Sequence, residues 1–476
     1  MRARLLLLAA ALVAFGASLG SGFHFDDYAI FSNPAITSPD GVLDIWGLRS
    51  TRPLTYFTFW LNFLAGGRNP LGYHLLNLAL HLGAVLLAWE CLRRLLPERA
   101  ALVAAALFAV HPLQAEAVNY IWARSIVLAA LLCFAALLAW LEERRWEAVA
   151  WFALALLAKE ECAAFPLVLL LVGRVAKGER KGTLAPIFTM LGLALAAGAR
   201  VVYAAAVTPG VPAGLQAGIT PWRYLLAQGP VLLRYVRLLI IPYGFTVDPD
   251  IRVPALWWGL LAWTVLAALC VAAWRLRNLW FLAGLVLLVP SSSVFPAADL
   301  AADRRMYLPM FAFAAAAAVL LERVKPHAAA AGIVIVLALV SISRTVVWMS
   351  DASLWREAVR LAPEKTRPRI QLARALPAAQ ALEVLAQARD VAPNDPAIAA
   401  EIGKTLLAEG QPDGALTEFG RALALDPRNA LYLNNRGVAL EQLGQTEAAR
   451  ADFERALQID PSLTAARENL QKVTAR

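Results

Sequence analysis

Apolar residues come in runs of about 15–22 as far as Val347, the length a helix needs to cross a ~30 Å hydrocarbon core. The runs lie near 1–20, 72–90, 99–112, 123–141, 147–159, 162–173, 184–206, 255–274, 279–296, 306–321 and 328–347. They predict an all-α, polytopic transmembrane bundle of about eleven helices. Beyond Asp351 charges become frequent and the pattern turns periodic. Two domains are expected, 1–350 in the membrane and 351–476 in water.

The tail repeats itself. Gly403, Gly410, Ala415, Phe419, Ala422 and Pro427 recur as Gly437, Gly444, Ala449, Phe453, Ala456 and Pro461, each 34 residues on. That is the tetratricopeptide period, in which small residues let two helices pack closely around a phenylalanine. A degenerate earlier unit keeps Ala381, Ala388 and Pro393, and Leu463–Val473 reads as a capping helix. The expectation is a soluble α-solenoid of about three repeats, suited to binding an extended peptide or a partner protein.

Only 17% of residues are charged, below the roughly 25% usual for soluble domains. The net charge of +9 gathers in short loops: Arg93–Arg99, Glu142–Glu147, Arg174–Lys181, Arg275–Arg277 and Glu322–Lys325. Placing these in the cytoplasm with Arg2 and Arg4 satisfies the positive-inside rule at every turn. Ser21 to about Leu71 then forms an external loop, and an odd number of crossings leaves the tail external. Tyr224–Pro242 contains Gln228, Pro230, Arg234 and Arg237 and reads as a helix lying at the external face. Residues 1–20 read as an uncleaved first helix, although Arg2, Arg4 and Leu5–Val13 would also serve as a signal peptide. No basic patch with interleaved aromatics is present, so no nucleic-acid partner is expected. Cys91, Cys133, Cys162 and Cys270 are isolated, without metal-ligand spacing, and read as packing residues.

Ionisable residues in or beside membrane helices are costly and tend to be functional. Here they collect on the predicted external face. His24, Asp26 and Asp27 follow the first helix, and Arg52 opens the next motif. His74, Asn77 and His81 share one helical face at i, i+3 and i+7. His111, Glu116 and Arg124 flank the third and fourth runs; Lys159, Glu160 and Glu161 end the fifth. Arg234, Arg237, Asp248, Asp303, Arg304, Arg305 and Tyr307 complete the set. Taken singly, the acids read as solvated surface, the His/Asn stripe as interhelical hydrogen bonding and the arginines as snorkelling. Together, guanidiniums can neutralise a phosphate and a carboxylate can accept a proton. This suits sugar transfer from a polyprenyl phosphate to a hydroxyl. No phosphate-cradling G-x-x-x-x-G-K-[ST] or G-x-G-x-x-G loop is present.

Several motifs occur in a telling order. They are Phe25-Asp-Asp-Tyr28 with Asn33-Pro34, Arg52-Pro-Leu-Thr55, Gly72 through His81, and Phe108-Ala-Val-His-Pro112 with Glu116 and Arg124. Lys159-Glu160, Pro242 through Asp248, and Ala302 through Pro309 follow. On these residues the chain resembles the transmembrane and tetratricopeptide-repeat containing O-mannosyltransferases, within the wider GT-C glycosyltransferase superfamily. The resemblance implies a GT-C-like bundle and an inverting transfer of mannose from a polyprenyl-phosphate donor to serine or threonine of a protein. It implies Asp27 as base with Asp26 supporting it, an order that could be reversed. Glu116 and His111 would shape the acceptor side, while Arg234, Arg237 and Arg304 hold the donor phosphate. His74, Asn77 and His81 would support the first loop, and Arg52, Arg124, Lys159, Glu160, Asp248, Arg305 and Tyr307 belong to the substrate-binding set. Asp303 stands where that family usually has Glu, and the repeat array is shorter than in many relatives. No cofactor beyond the lipid-linked sugar and no metal ligands are expected, although an acid pair can bind a divalent cation. The Ala-, Leu- and Arg-rich composition suggests a bacterial inner membrane, with the repeats in the periplasm and undecaprenyl phosphate as lipid carrier. The competing readings are a non-catalytic membrane-anchored scaffold and a flippase or O-antigen-ligase-like enzyme using lipid-linked oligosaccharide.

Overall fold

The computed structural model describes residues 1–47, 50–175, 184–207, 218–293, 295–297, 299–322 and 327–475. Contacts divide the chain into two compact units, Met1–Ser350 and Asp351–Arg476. Among the described residues both are helical, with no β-sheet.

The first unit begins with α1 (Arg2–Phe15), α2 (Pro53–Gly66), α3 (Pro70–Leu95), α4 (Glu98–Val110) and α5 (Ala115–Asn119). It continues with α6 (Arg124–Leu141), α7 (Arg145–Ala158), α8 (Phe165–Val175), α9 (Leu184–Val207) and α10 (Pro221–Ile240). It ends with α11 (Leu256–Arg275), α12 (Leu279–Leu288), α13 (Tyr307–Leu321) and α14 (His327–Val347). Each apolar run of the sequence contains a helix. Among the described residues seven segments are long and apolar enough to cross a bilayer: Arg2–Gly20, Pro70–Leu95, Ile121–Leu141, Leu184–Val207, Leu256–Arg275, Asp303–Leu321 and Ala328–Val347. The bent pair Glu98–Val110 and Pro112–Asn119 makes an eighth if counted as one span. The protein is therefore a polytopic membrane protein. The runs that gave α7, α8 and α12 form shorter helices, of 14, 11 and 10 residues. The interrupted segment around Pro230 is one helix, α10, and is not among the apolar spans. The basic loops Arg174–Lys181 and Glu322–Lys325 fall largely outside the described residues.

Local chemistry sets the helix ends. Asn69 accepts from the Leu71 amide and Pro70 occupies the first helical position, so α3 starts there. Its 26 residues span roughly 39 Å at 1.5 Å per residue. At its far end Glu90 is clasped by Arg4, Arg93 and Arg94, which ties α1 to α3. α1 buries Leu7, Ala11, Ala14 and Phe15 and packs on α3, α4 and α14. The core is aromatic at its centre: Phe108 meets Phe134 and Tyr307 edge-on, both at 5.5 Å between centroids. At Pro112 the path of α4 into α5 bends by 45°. Proline lacks an N–H and drives the preceding His111 out of the helical region, to φ −69° and ψ 134°.

In the second unit α15 (Asp351–Leu361) precedes three helix pairs and a cap. The pairs are α16 (Thr366–Arg374) with α17 (Ala378–Val391), α18 (Pro396–Ala408) with α19 (Pro412–Leu425), and α20 (Ala430–Gln442) with α21 (Thr446–Ile459). The cap is α22 (Thr464–Thr474). The 34-residue period reappears in the chemistry of the ends. Asp395 and Asn429 each cap a helix by accepting backbone amides. Gly410 and Gly444 close the same helices at φ 71° and 74°, the left-handed conformation that favours glycine. A Cβ on Gly403 would lie 2.7 Å from the Phe419 ring, and one on Gly437 2.5 Å from the Phe453 ring. Gly437→Val should therefore destabilise its repeat by about 1–3 kcal/mol through overpacking. The measurable result is faster amide exchange across Ala430–Ile459 in the intact protein. Gly420→Ala, where nothing lies within 4 Å, should show no such increase.

Candidate active site

The loop after α1 turns tightly at Phe25–Ile30. Asp27 holds this turn in place. Its Oδ2 accepts from the His24 amide at 2.9 Å, and its Oδ1 accepts from the Trp122 amide at 2.7 Å. Both oxygens are thus spent on backbone, and the side chain is fully buried. Burial raises its carboxyl from 3.8 to about 7, against the lowering influence of the two amides and of His24. Asp26 is exposed. Phe25 packs on Tyr120 (4.6 Å), and Tyr120 stacks on Trp348 (5.6 Å). Burial, then Asp27 and Asp26, keep the Tyr120 phenol protonated; Arg304 pulls the other way. Tyr120 is therefore where the acidic loop and the Arg304 segment come within electrostatic reach of each other.

Arg304 is bound to Glu116 twice, by its amide at 3.0 Å and by its guanidinium, and its other terminal nitrogen lies 3.6 Å from Asp299. Next to it Asp303 pairs with Arg234, which also donates to the Gly244 carbonyl. A small cavity of about 10 Å³ is lined by Glu116, Asp303, Arg344, Trp348 and the Phe245–Val247 segment, which leads to buried Asp248. Arg344 stacks over Phe245 at 5.7 Å.

A larger cavity, of about 720 Å³, takes in Arg305, the residue that follows Arg304 in the chain. Arg52, Tyr56, Trp122, Glu160, Glu161 and Arg305 form its polar end, while Gly198, Val201, Val202, Ala204 and Ala205 of α9 line an apolar wall. Arg52 grips Glu160 with two hydrogen bonds of 2.8 and 3.2 Å. Burial alone would raise the Glu160 carboxyl, but Arg52 and Lys159 outweigh it and bring it down to about 2. Glu161 is lowered too: burial opposes this, and Lys159 and Arg305 override it. Lys159 pairs with Glu161 at 3.3 Å and feels both Arg52 and Arg304. Arg305 donates to the carbonyls of Leu300 (3.2 Å) and Asp299 (2.8 Å). An apolar groove of about 290 Å³ between α7 and α9 shares Thr51 and Glu160 with this cavity. Among the described residues no three His, Cys, Asp or Glu side chains are grouped to hold a metal ion.

The remaining candidates serve the backbone and line neither cavity. His74 meets the Gly22 carbonyl at 3.1 Å, beneath the acidic loop. Asn77 donates to the carbonyls of Val118 and Tyr120 and accepts from Arg124 at 2.7 Å. Arg124, fully buried, also reaches Thr58 and the Tyr73 carbonyl and lies over the Phe59 ring at 4.5 Å. His81 joins Tyr307 to the Ala109 carbonyl, and His111 accepts from the Leu113 amide and faces the Leu239 carbonyl. Exposed Arg237 donates to the Tyr243 carbonyl. Sequence reasoning missed Tyr56, Tyr120, Trp122, Arg344 and Trp348. Arg344 had a signal, being the one charge inside the last apolar run; the aromatics had none.

A tetratricopeptide-repeat family profile matches residues 400–464. Protein O-mannosyl-transferase Tmtc1 of Drosophila melanogaster is 42% identical over 152 residues, 29% of this chain and 17% of the relative. Protein O-mannosyl-transferase F38B6.6 of Caenorhabditis elegans is 25% identical over 421 residues, covering 79% of this chain and 60% of that protein. The chain is similar to the protein O-mannosyl-transferases. It spans 60% or less of these two relatives' length. ArnT from Cupriavidus metallidurans, solved bound to undecaprenyl phosphate, superposes over 94% of this chain and 79% of its own at 14% identity. The TM-score of that superposition is 0.39.

The Asp27 geometry carries a pH signature. Its folded carboxyl titrates at about 7 and its unfolded one near 3.8, so the folded state holds the extra proton between those values. Stability from this group is full below the lower value and is lost as pH rises through about 7. Wild-type Tm should fall between about pH 4 and about pH 7, and Asp27→Asn should flatten that fall. At acid pH the variant should be less stable by about 1–3 kcal/mol, because one amide oxygen cannot serve two backbone donors.

Proposed function

We propose that the protein is an integral-membrane glycosyltransferase. It moves a sugar, mannose on the resemblance, from a polyprenyl-phosphate donor to serine or threonine of exported proteins. The observation that carries this reading is the double engagement of Trp122. Its amide fixes the acidic loop through Asp27, while the residue lines the large cavity that bears Arg52 and Arg305. A carboxylate loop and a largely apolar cavity, lined by two arginines and two glutamates, therefore share one residue.

In the transfer, the acceptor hydroxyl gives its proton to a carboxylate and its oxygen attacks the anomeric carbon opposite the phosphate. The sugar–phosphate bond then breaks, configuration inverts, and the lipid phosphate leaves with one more negative charge. Exposure favours Asp26 as the base, with buried Asp27 as the residue that positions it, the reverse of the order first expected. Arg305 and Arg52 are the guanidiniums facing the donor cavity, and their charge stabilises the departing phosphate. Arg234 and Arg304, expected to hold that phosphate, are each closed by a carboxylate and do not line that cavity. Glu116, fixed by Arg304, shapes the acceptor side. The isoprenoid chain follows the apolar groove between α7 and α9. The repeats bind acceptor segments in the periplasm of a bacterial cell, and the bundle sits in its inner membrane.

The test is purified protein in lipid nanodiscs with polyprenyl-phosphate mannose and a Ser/Thr-rich peptide. Asp26→Asn should cut kcat by about 10²–10⁴-fold with an unchanged Tm. Arg305→Met should chiefly weaken use of the lipid donor. Full activity in Asp26→Asn, or transfer only from pyrophosphate-linked oligosaccharide, would sink the reading.

A further inference from the structure

The bend at Pro112 leaves carbonyls of α4 without helical partners, and each is met by a side chain. In an unbroken helix the carbonyls of Phe108, Ala109 and Val110 would accept from the amides of residues 112, 113 and 114. Pro112 has no N–H, the Leu113 amide donates to His111 Nδ1, and the Gln114 amide donates to the His111 carbonyl. Gln114 Nε2 then donates to the Phe108 carbonyl at 3.2 Å. His81 Nε2, from α3, meets the Ala109 carbonyl at 3.2 Å. Ser341 Oγ, from α14, donates to the Val110 carbonyl at 2.5 Å. All three side chains are completely buried.

The histidine also links the bend to the element that carries the arginines. A carbonyl can only accept, so His81 Nε2 carries the proton, Nδ1 accepts, and the Tyr307 hydroxyl donates to it at 2.8 Å. Tyr307 opens α13 directly after the turn Asp303–Met306. The α4–α5 bend is thus joined to that turn and helix twice, by His81–Tyr307 and by Glu116–Arg304.

We infer that Gln114, Ser341 and His81 are positioning residues for transfer. By satisfying the three freed carbonyls they fix the angle of α4 against α5, and so fix where Glu116 meets Arg304. This rests on the reading of Glu116 and Arg304 as part of the transfer site. None of the three touches the reacting atoms.

The experiment compares Gln114→Met, Ser341→Ala and Ser341→Thr with wild type in nanodiscs, reading amide exchange across residues 107–119 together with kcat and donor KM. The two cap-deleting variants should keep their overall melting behaviour yet exchange faster at the bend. Their kcat should fall about tenfold or more at unchanged donor KM, since a small misplacement of site groups is costly. Ser341→Thr keeps the hydroxyl and should match wild type. If Gln114→Met does not accumulate, Ser341→Ala, which removes a single oxygen, decides the matter. Unchanged exchange at the bend, or faster exchange with native kcat, overturns the inference. So does a kcat loss that merely tracks a loss of overall stability. A wild-type protein that transfers no sugar removes the transferase reading and the role in transfer with it, whereas the exchange arm still judges whether the caps hold the bend.

Discussion

A bilayer supplies no water to a helix end, so each backbone group freed near the bundle core must be satisfied by the protein itself. That constraint organises the membrane unit. Thr55 donates to the Ala158 carbonyl at the end of α7, Thr345 to Ala14 at the end of α1, and Asn77 to Val118 in α5 and to Tyr120 just beyond it. Polar side chains that stand out in an apolar sequence are therefore largely committed to main chain. Their burial and their lack of contact with either cavity follow from that commitment.

The groups left for chemistry sit where helices end. In this set carboxylates and cationic side chains are interleaved: Arg52 with Glu160, Arg234 of α10 with Asp303, Arg304 with Glu116, Lys159 with Glu161. Pairing offsets the desolvation each charge would otherwise suffer and fixes geometry before any substrate arrives. Asp26 differs from these carboxylates in facing solvent. An anionic leaving group fits such a lattice by displacing or sharing a carboxylate's hold on an arginine, which couples donor binding to small shifts of the loops around it.

How much of this was legible in the sequence depends on range. The apolar runs and the 34-residue period are local patterns, and they appear as helices and as repeated caps at Asp395 and Asn429. The clustering of ionisable residues at one set of helix ends was also readable. The division of labour between Asp26 and Asp27 was not. Two adjacent acids are equivalent in sequence, and what separates them is an amide 95 residues away, at Trp122. Likewise Arg52 finds Glu160 across 108 residues, and Arg124, which the resemblance put in the substrate-binding set, meets Asn77, Thr58 and Tyr73 of other helices. Long-range closure decides which polar residue faces a cavity and which faces a carbonyl.

The packing of α1 has a consequence for biogenesis. This helix is made long before α14, yet it rests on it, with the Ala14 carbonyl accepting from Thr345 across 331 residues. Its arginine also waits for Glu90 on α3. Such closure is slow, because the intervening chain must be ordered before the contact is rewarded. The α1–α14 contact can therefore form only once residue 345 has itself emerged and entered the bundle. Truncated nascent chains should be correspondingly open to membrane proteases, an exposure that ends when the final span arrives.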